Sequence, residues 1–67
     1  MSDDEIITMA VLIGFEWRPI FGEISPYYND YGTYRSPVDG SYRIHTDGKV
    51  AAAKLYLMAA GIDLGAL

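Results

Sequence analysis

Apolar residues between Ser2 and Ile13 recur with the period of one helical face. Ile6, Met9, Ala10 and Ile13 form the stripe, Ile7 and Val11 widen it, and Asp4, Thr8 and Leu12 lie opposite. Ser2 with Glu5 three residues on makes a capping box, and Asp3 and Asp4 sit where the helix dipole favours negative charge. Gly14 supplies a left-handed stop, after which Phe15 folds back on Met9 or Ala10. The pattern predicts a helix over about 3–13.

The period then changes from 3.6 to two. Phe15-Glu16-Trp17-Arg18 alternates with both aromatics on one face, a strand over about 15–19, and Pro19 ends it or places it at a sheet edge. From 22 to 37 the pattern dissolves into a Tyr-rich loop punctuated by Pro26, Gly32 and Pro37, within which Tyr31–Arg35 reads as an optional second strand. Asp39-Gly40 and Asp47-Gly48 bracket a further strand over about 41–46. Alternation puts Tyr42 and Ile44 on one face, with Arg43 and His45 on the other, polar face. A second helix follows over about 48–60, capped by Thr46 or Asp47 and stopped by Gly61, with Ile62 packing back on Leu57. Ala51, Leu55, Met58 and Ile62, flanked by Ala52 and Ala59, are its expected core face. The fold class is therefore α+β: one small domain, ordered helix–strand–(strand)–strand–helix, with two helices packed on a short antiparallel sheet.

A chain of 67 residues buries only about 60% of the surface it would expose unfolded, so its stability is modest. No cysteine is present and His45 is the only histidine, which excludes disulfides and Cys–His zinc sites within one chain. No metal or cofactor is expected. Nine acidic residues against five basic give a net charge of −4. That balance disfavours phosphate-backbone and anionic-membrane binding, and no apolar run approaches the roughly 20 residues of a membrane span. The acidic start lacks the basic residues of a secretory signal, so the expected setting is the cytoplasm.

Catalytic chemistry is not expected. His45 would need Ser25, Ser36 or Ser41 as a nucleophile, and in a strand Ser41 and His45 stand about 13 Å apart. The expectation for His45 is a solvated ring. Asp30, Asp39 and Asp47 lie in turns without calcium-loop spacing, and Asp47-Gly48-Lys49 lacks the glycines of a phosphate loop. The free N–H groups at that helix start are the one place for an anion.

Two surfaces are candidates for a partner. Tyr27, Tyr28, Asp30, Tyr31, Tyr34 and Arg35 combine rigid aromatic rings with small polar residues, the chemistry of binding hot spots; the same rings could instead roof a thin core. Stacking on nucleic-acid bases beside Arg35 and Arg43 is disfavoured by the charge. On the second helix, Lys49, Val50, Ala53, Lys54 and Leu57 form a further apolar face: a homodimer contact, a face covered by the Tyr-rich loop, or a second contact for a host protein.

The run Tyr42-Arg43-Ile44-His45-Thr46-Asp47, leading into Ala51-Ala52-Ala53, resembles the second half of small tailed-phage and prophage proteins of the phage ABA sandwich type. The acidic helix and Trp17 match the opening of such proteins, whereas Tyr27–Tyr34 departs from their pattern. The resemblance implies a phage or mobile-element origin, with no catalytic residues to carry over. Small acidic phage proteins commonly bind and block a host protein, as inhibitors of CRISPR–Cas complexes and restriction enzymes do. Host-protein inhibition in the host cytoplasm is therefore the expected function, with an accessory or regulatory phage protein as the rival.

Overall fold

In the computed structural model, which describes residues 2–66, the first helix α1 spans Asp3–Leu12. Its cap is the expected one in part. The Glu5 N–H donates to Ser2 Oγ at 3.3 Å, but the Ser2 hydroxyl donates to the Glu5 carboxylate (3.1 Å) rather than leaving Glu5 to reach back to the backbone. At the other end Gly14 takes φ +117°, the Phe15 N–H donates to the Ala10 carbonyl (2.9 Å) and the Gly14 N–H to Val11 (3.1 Å). This paired arrangement reverses the chain and drives Phe15 into the core.

Three antiparallel strands follow: β1 (Arg18–Pro19), β2 (Gly32–Arg35) and β3 (Tyr42–His45), in the spatial order β1-β2-β3. The optional strand is thus the central one. The first strand is shorter than the alternation over 15–19 suggested. Phe15 and Trp17 do face inward, but only Arg18 and Pro19 pair, with Thr33 and Gly32 respectively. Proline fits there because the Ile20 N–H donates to the Tyr31 carbonyl (3.0 Å). Alternation then turns the missing Pro19 donor away from β2, towards the outside of the sheet.

The second helix α2 (Lys49–Ala59) is capped by neither Thr46 nor Asp47. Gly48 is the cap residue, at φ +100°. Its N–H donates to the Asp30 carbonyl (2.9 Å) and that of Lys49 to the Asn29 carbonyl (3.3 Å). The Tyr-rich segment therefore supplies acceptors for the Gly48 and Lys49 N–H groups, and these two donors are not open to an anion. Gly61, at φ +89°, closes α2 as Gly14 closes α1, with the Ile62 N–H on the Leu57 carbonyl (2.9 Å). A single 3₁₀ turn, Leu64–Ala66, ends the described chain.

The buried face of α2 is opposite to the one the hydrophobic stripe suggested. Ala52, Ala53, Tyr56 and Leu57 are buried, whereas Leu55, Met58 and Ala59 are exposed and Ala51 and Ile62 half-buried. The physical reason is α1. Ala10, Ala52 and Ala53 have no exposed surface, so small residues let the two helices approach closely. Tyr56 then reaches across, its hydroxyl donating to the Ile13 carbonyl at 3.3 Å. Phe15 is the hub of the core, with ring centroids 5.4 Å from Tyr56, 5.7 Å from Tyr34 and 6.4 Å from Trp17. Both helices cover one face of the sheet. The other face is open, consistent with a shortest dimension of 17 Å, room for little more than one helical layer and one sheet.

Candidate functional site

The Tyr-rich segment is a chain of tight turns held to the rest of the molecule, not a free loop. Ser25, Tyr28, Asp30 and Tyr31 each donate their N–H to a carbonyl three or four residues back, and the Tyr27 N–H donates to Ser25 Oγ (3.1 Å). Through the Asn29 and Asp30 carbonyls the segment is anchored on the start of α2. On this support three rings converge. Tyr27 and Tyr31 stack nearly parallel with centroids 5.4 Å apart, and Phe21 leans on both at 6.0 and 5.6 Å. Their preference for offset and tilted contact fixes the cluster's shape.

This cluster is separate from the core. Tyr27 is 50% exposed, Phe21 41% and Ile20 50%, and Ile24 in the same segment is fully exposed. Four large apolar side chains of this one segment, Ile20, Phe21, Ile24 and Tyr27, are thus turned to solvent.

The sequence-derived partner residues divide between this platform and the core. Tyr27 and Tyr31 belong to the platform, and Tyr28 is half-buried beside them. Asp30 is exposed and contributes its backbone carbonyl to α2. Tyr34 is a core residue at 8% exposure, on the inward face of β2. Arg35 lies on the open face of the sheet, its guanidinium 4.9 Å from the centre of the Tyr42 ring and donating to the Tyr42 hydroxyl at 2.9 Å. Ile20, Phe21 and Ile24 were missed. They precede the tyrosines in a stretch without periodicity, and the only signal for them was apolar residues between Pro19 and Pro26.

The second candidate face does not form one surface. Ala53 and Leu57 are completely buried against α1 and the aromatic core, Val50 is half-buried, and only Lys49 and Lys54 are exposed. The face is covered within the chain, by α1 rather than by the Tyr-rich segment. Tyr42 and Ile44 share one face of β3, and it is the open face of the sheet, where they are 59% and 74% exposed. His45 points inward instead of into solvent. Its ring stands edge-on to Tyr34 at 6.4 Å, and its Nε2 is buried with no hydrogen-bond partner among the described residues. Pairing explains the exchange: His45 stands opposite Gly32 on the inward face, and the Trp17 indole fills the space that Gly32 leaves there.

Among the described residues no group of three or more His, Asp or Glu side chains is placed to hold a metal ion, and no helix is long and apolar enough to cross a membrane. A hollow of about 220 Å³ on the open sheet face is lined by Gly14, Glu16, Arg18, Arg35 and Tyr42. Its ion pair, Arg18–Glu16 at 3.8 Å, is solvent-exposed and contributes little. No family model, curated protein or solved structure matches this chain.

Proposed function

We propose that the protein acts by binding another protein through the Phe21–Tyr27–Tyr31 platform, and that it performs no turnover of its own. One observation carries this reading: a stacked aromatic cluster, backed by hydrogen-bonded turns, that leaves Ile24 fully exposed and Tyr27 half exposed. A rigid amphipathic ring loses little entropy on contact, so such a platform is well suited to a binding hot spot. The resemblance of residues 41–60 to small phage proteins directs the reading further, to a host protein that is blocked by occupation of its surface. A CRISPR–Cas complex or a restriction enzyme is the kind of target this implies. An accessory role in phage development would use the same surface.

Capture experiments test it. Tagged wild-type protein should retain a specific protein from bacterial lysate, and the Ile24→Ser/Tyr27→Ala variant should not. Removing a hot-spot ring costs about 2 kcal/mol or more, roughly thirty-fold in Kd. The variant should melt close to wild type, because neither side chain is in the core. Equal retention by both proteins would remove the platform from the binding account.

A further inference from the structure

The open edge of β3 lies apart from the aromatic platform and has its own chemistry. The Ser36 N–H donates to the Ser41 carbonyl at 2.7 Å. Alternation from that pair through the register of β2 and β3 aims the backbone of Arg43 and His45 at β2. The N–H and C=O groups of Tyr42 and Ile44 therefore point outward, where no described residue meets them. Edge strands are ordinarily shielded by charge, proline or a covering loop. This one carries a single charged residue, Arg43, between two exposed apolar ones. The opposite edge is no equivalent, since β1 has two residues and one is Pro19.

The chain is acidic, yet each strand carries one arginine: Arg18, Arg35 and Arg43. Among the described residues no carboxylate lies within salt-bridge distance of Arg35, and Arg43 is only loosely held by Asp39 at 3.9 Å with both side chains exposed. Below the edge, on the helix side, a groove of about 260 Å³ runs between the β2–β3 hairpin and α2, lined in part by Val38, Arg43, Leu55 and Ala59.

We propose that the β3 edge is a second docking surface, which takes an extended segment of another protein, alternating apolar and acidic residues, as a fourth strand of the sheet. Main-chain hydrogen bonds to Tyr42 and Ile44 supply the affinity of such strand addition, and side-chain alternation supplies the selectivity. Apolar side chains of the segment lie beside Tyr42 and Ile44, and acidic ones beside Arg43. A second copy of this chain is the poorer occupant. Two-fold pairing of Tyr42 with Ile44 of the copy, which keeps all helices on one side, sets the two Arg43 guanidiniums against each other.

The test uses the full chain and two blocked hexapeptides, (Val-Glu)₃ and (Val-Lys)₃, titrated while backbone amide NMR signals are followed. The acidic peptide should shift the signals of residues 42–45 and slow amide exchange at Tyr42 and Ile44, while the basic peptide leaves them in place. Arg43→Glu should weaken the acidic peptide about fivefold or more. Ile44→Pro, which removes an outward N–H without touching the bond to β2, should abolish binding; if that variant does not fold, the charge reversal decides alone. Ile24→Ser/Tyr27→Ala should bind the peptide like wild type, which separates this surface from the platform. Equal response to both peptides, no response to either, or a concentration-dependent dimer through residues 42–45 would each overturn the proposal.

Discussion

At the scale of single residues, Phe15 and Gly32 show how little redundancy this core has. Phe15 is 2% exposed and contacts three other aromatic rings, so no neighbour can fill the space it leaves. Phe15→Ala should cost about 3–5 kcal/mol, a large part of the roughly 5–15 kcal/mol that stabilises a typical domain. Urea unfolding should find it largely unfolded in the absence of denaturant or nearly so. Gly32 is a matter of space rather than backbone freedom: a Cβ there would lie 2.4 Å from the Trp17 indole. Gly32→Ala must displace that ring, and because Trp17 is the only tryptophan, its emission should shift to the red while the fold persists. Unchanged emission would mean that the indole does not lie on Gly32. Asp39 is held below the usual carboxylate range, first by the Ser41 hydroxyl, then by the Ser41 N–H, with Arg43 adding to it. A lowered folded-state pKa contributes stability that is present above the unfolded value and lost as pH falls through the folded one. The β2–β3 turn should therefore loosen on acidification, and in Asp39→Asn the Ser41 amide signal should lose that acid dependence.

At the scale of elements, both helices, the start of α1 and the two C-terminal stops were legible because each rests on local chemistry: an acidic first turn after Ser2, and glycines at 14 and 61 whose positive φ closes the helix. What was not legible is the side α2 turns inward. Lys49–Ala59 carries only two polar residues, Lys49 and Lys54, so periodicity cannot choose a face. The choice is made by close packing of Ala52 and Ala53 on Ala10 and by the reach of Tyr56, which are tertiary facts. The cap of α2 was hidden for the same reason, since its acceptors are backbone carbonyls about twenty positions away, at Asn29 and Asp30. The corrected face is testable by neighbouring substitutions. Leu57→Glu buries a charge and should unfold the protein, whereas Met58→Glu, at a position 61% exposed, should melt near wild type. Circular dichroism melts giving the reverse order would restore the face built on Leu55 and Met58.

At the scale of the whole molecule, one layer of helices covers one face of a three-stranded sheet, and apolar surface remains on the segment joining β1 to β2. The sequence showed that this segment was rich in tyrosine but not how the rings divide. Tyr34 was drawn into the core by the alternation of β2, while Tyr27 and Tyr31 were left to stack outside with Phe21. That division depends on where the central strand begins, and nothing local marks Gly32 as its first residue. The claim that this outer cluster is a binding surface is tested most directly by hydrogen exchange of the protein free and in complex with the partner it captures. Protection on binding should be concentrated in residues 20–31. Protection confined to the outer faces of α1 and α2, with 20–31 exchanging as in the free protein, would contradict the account.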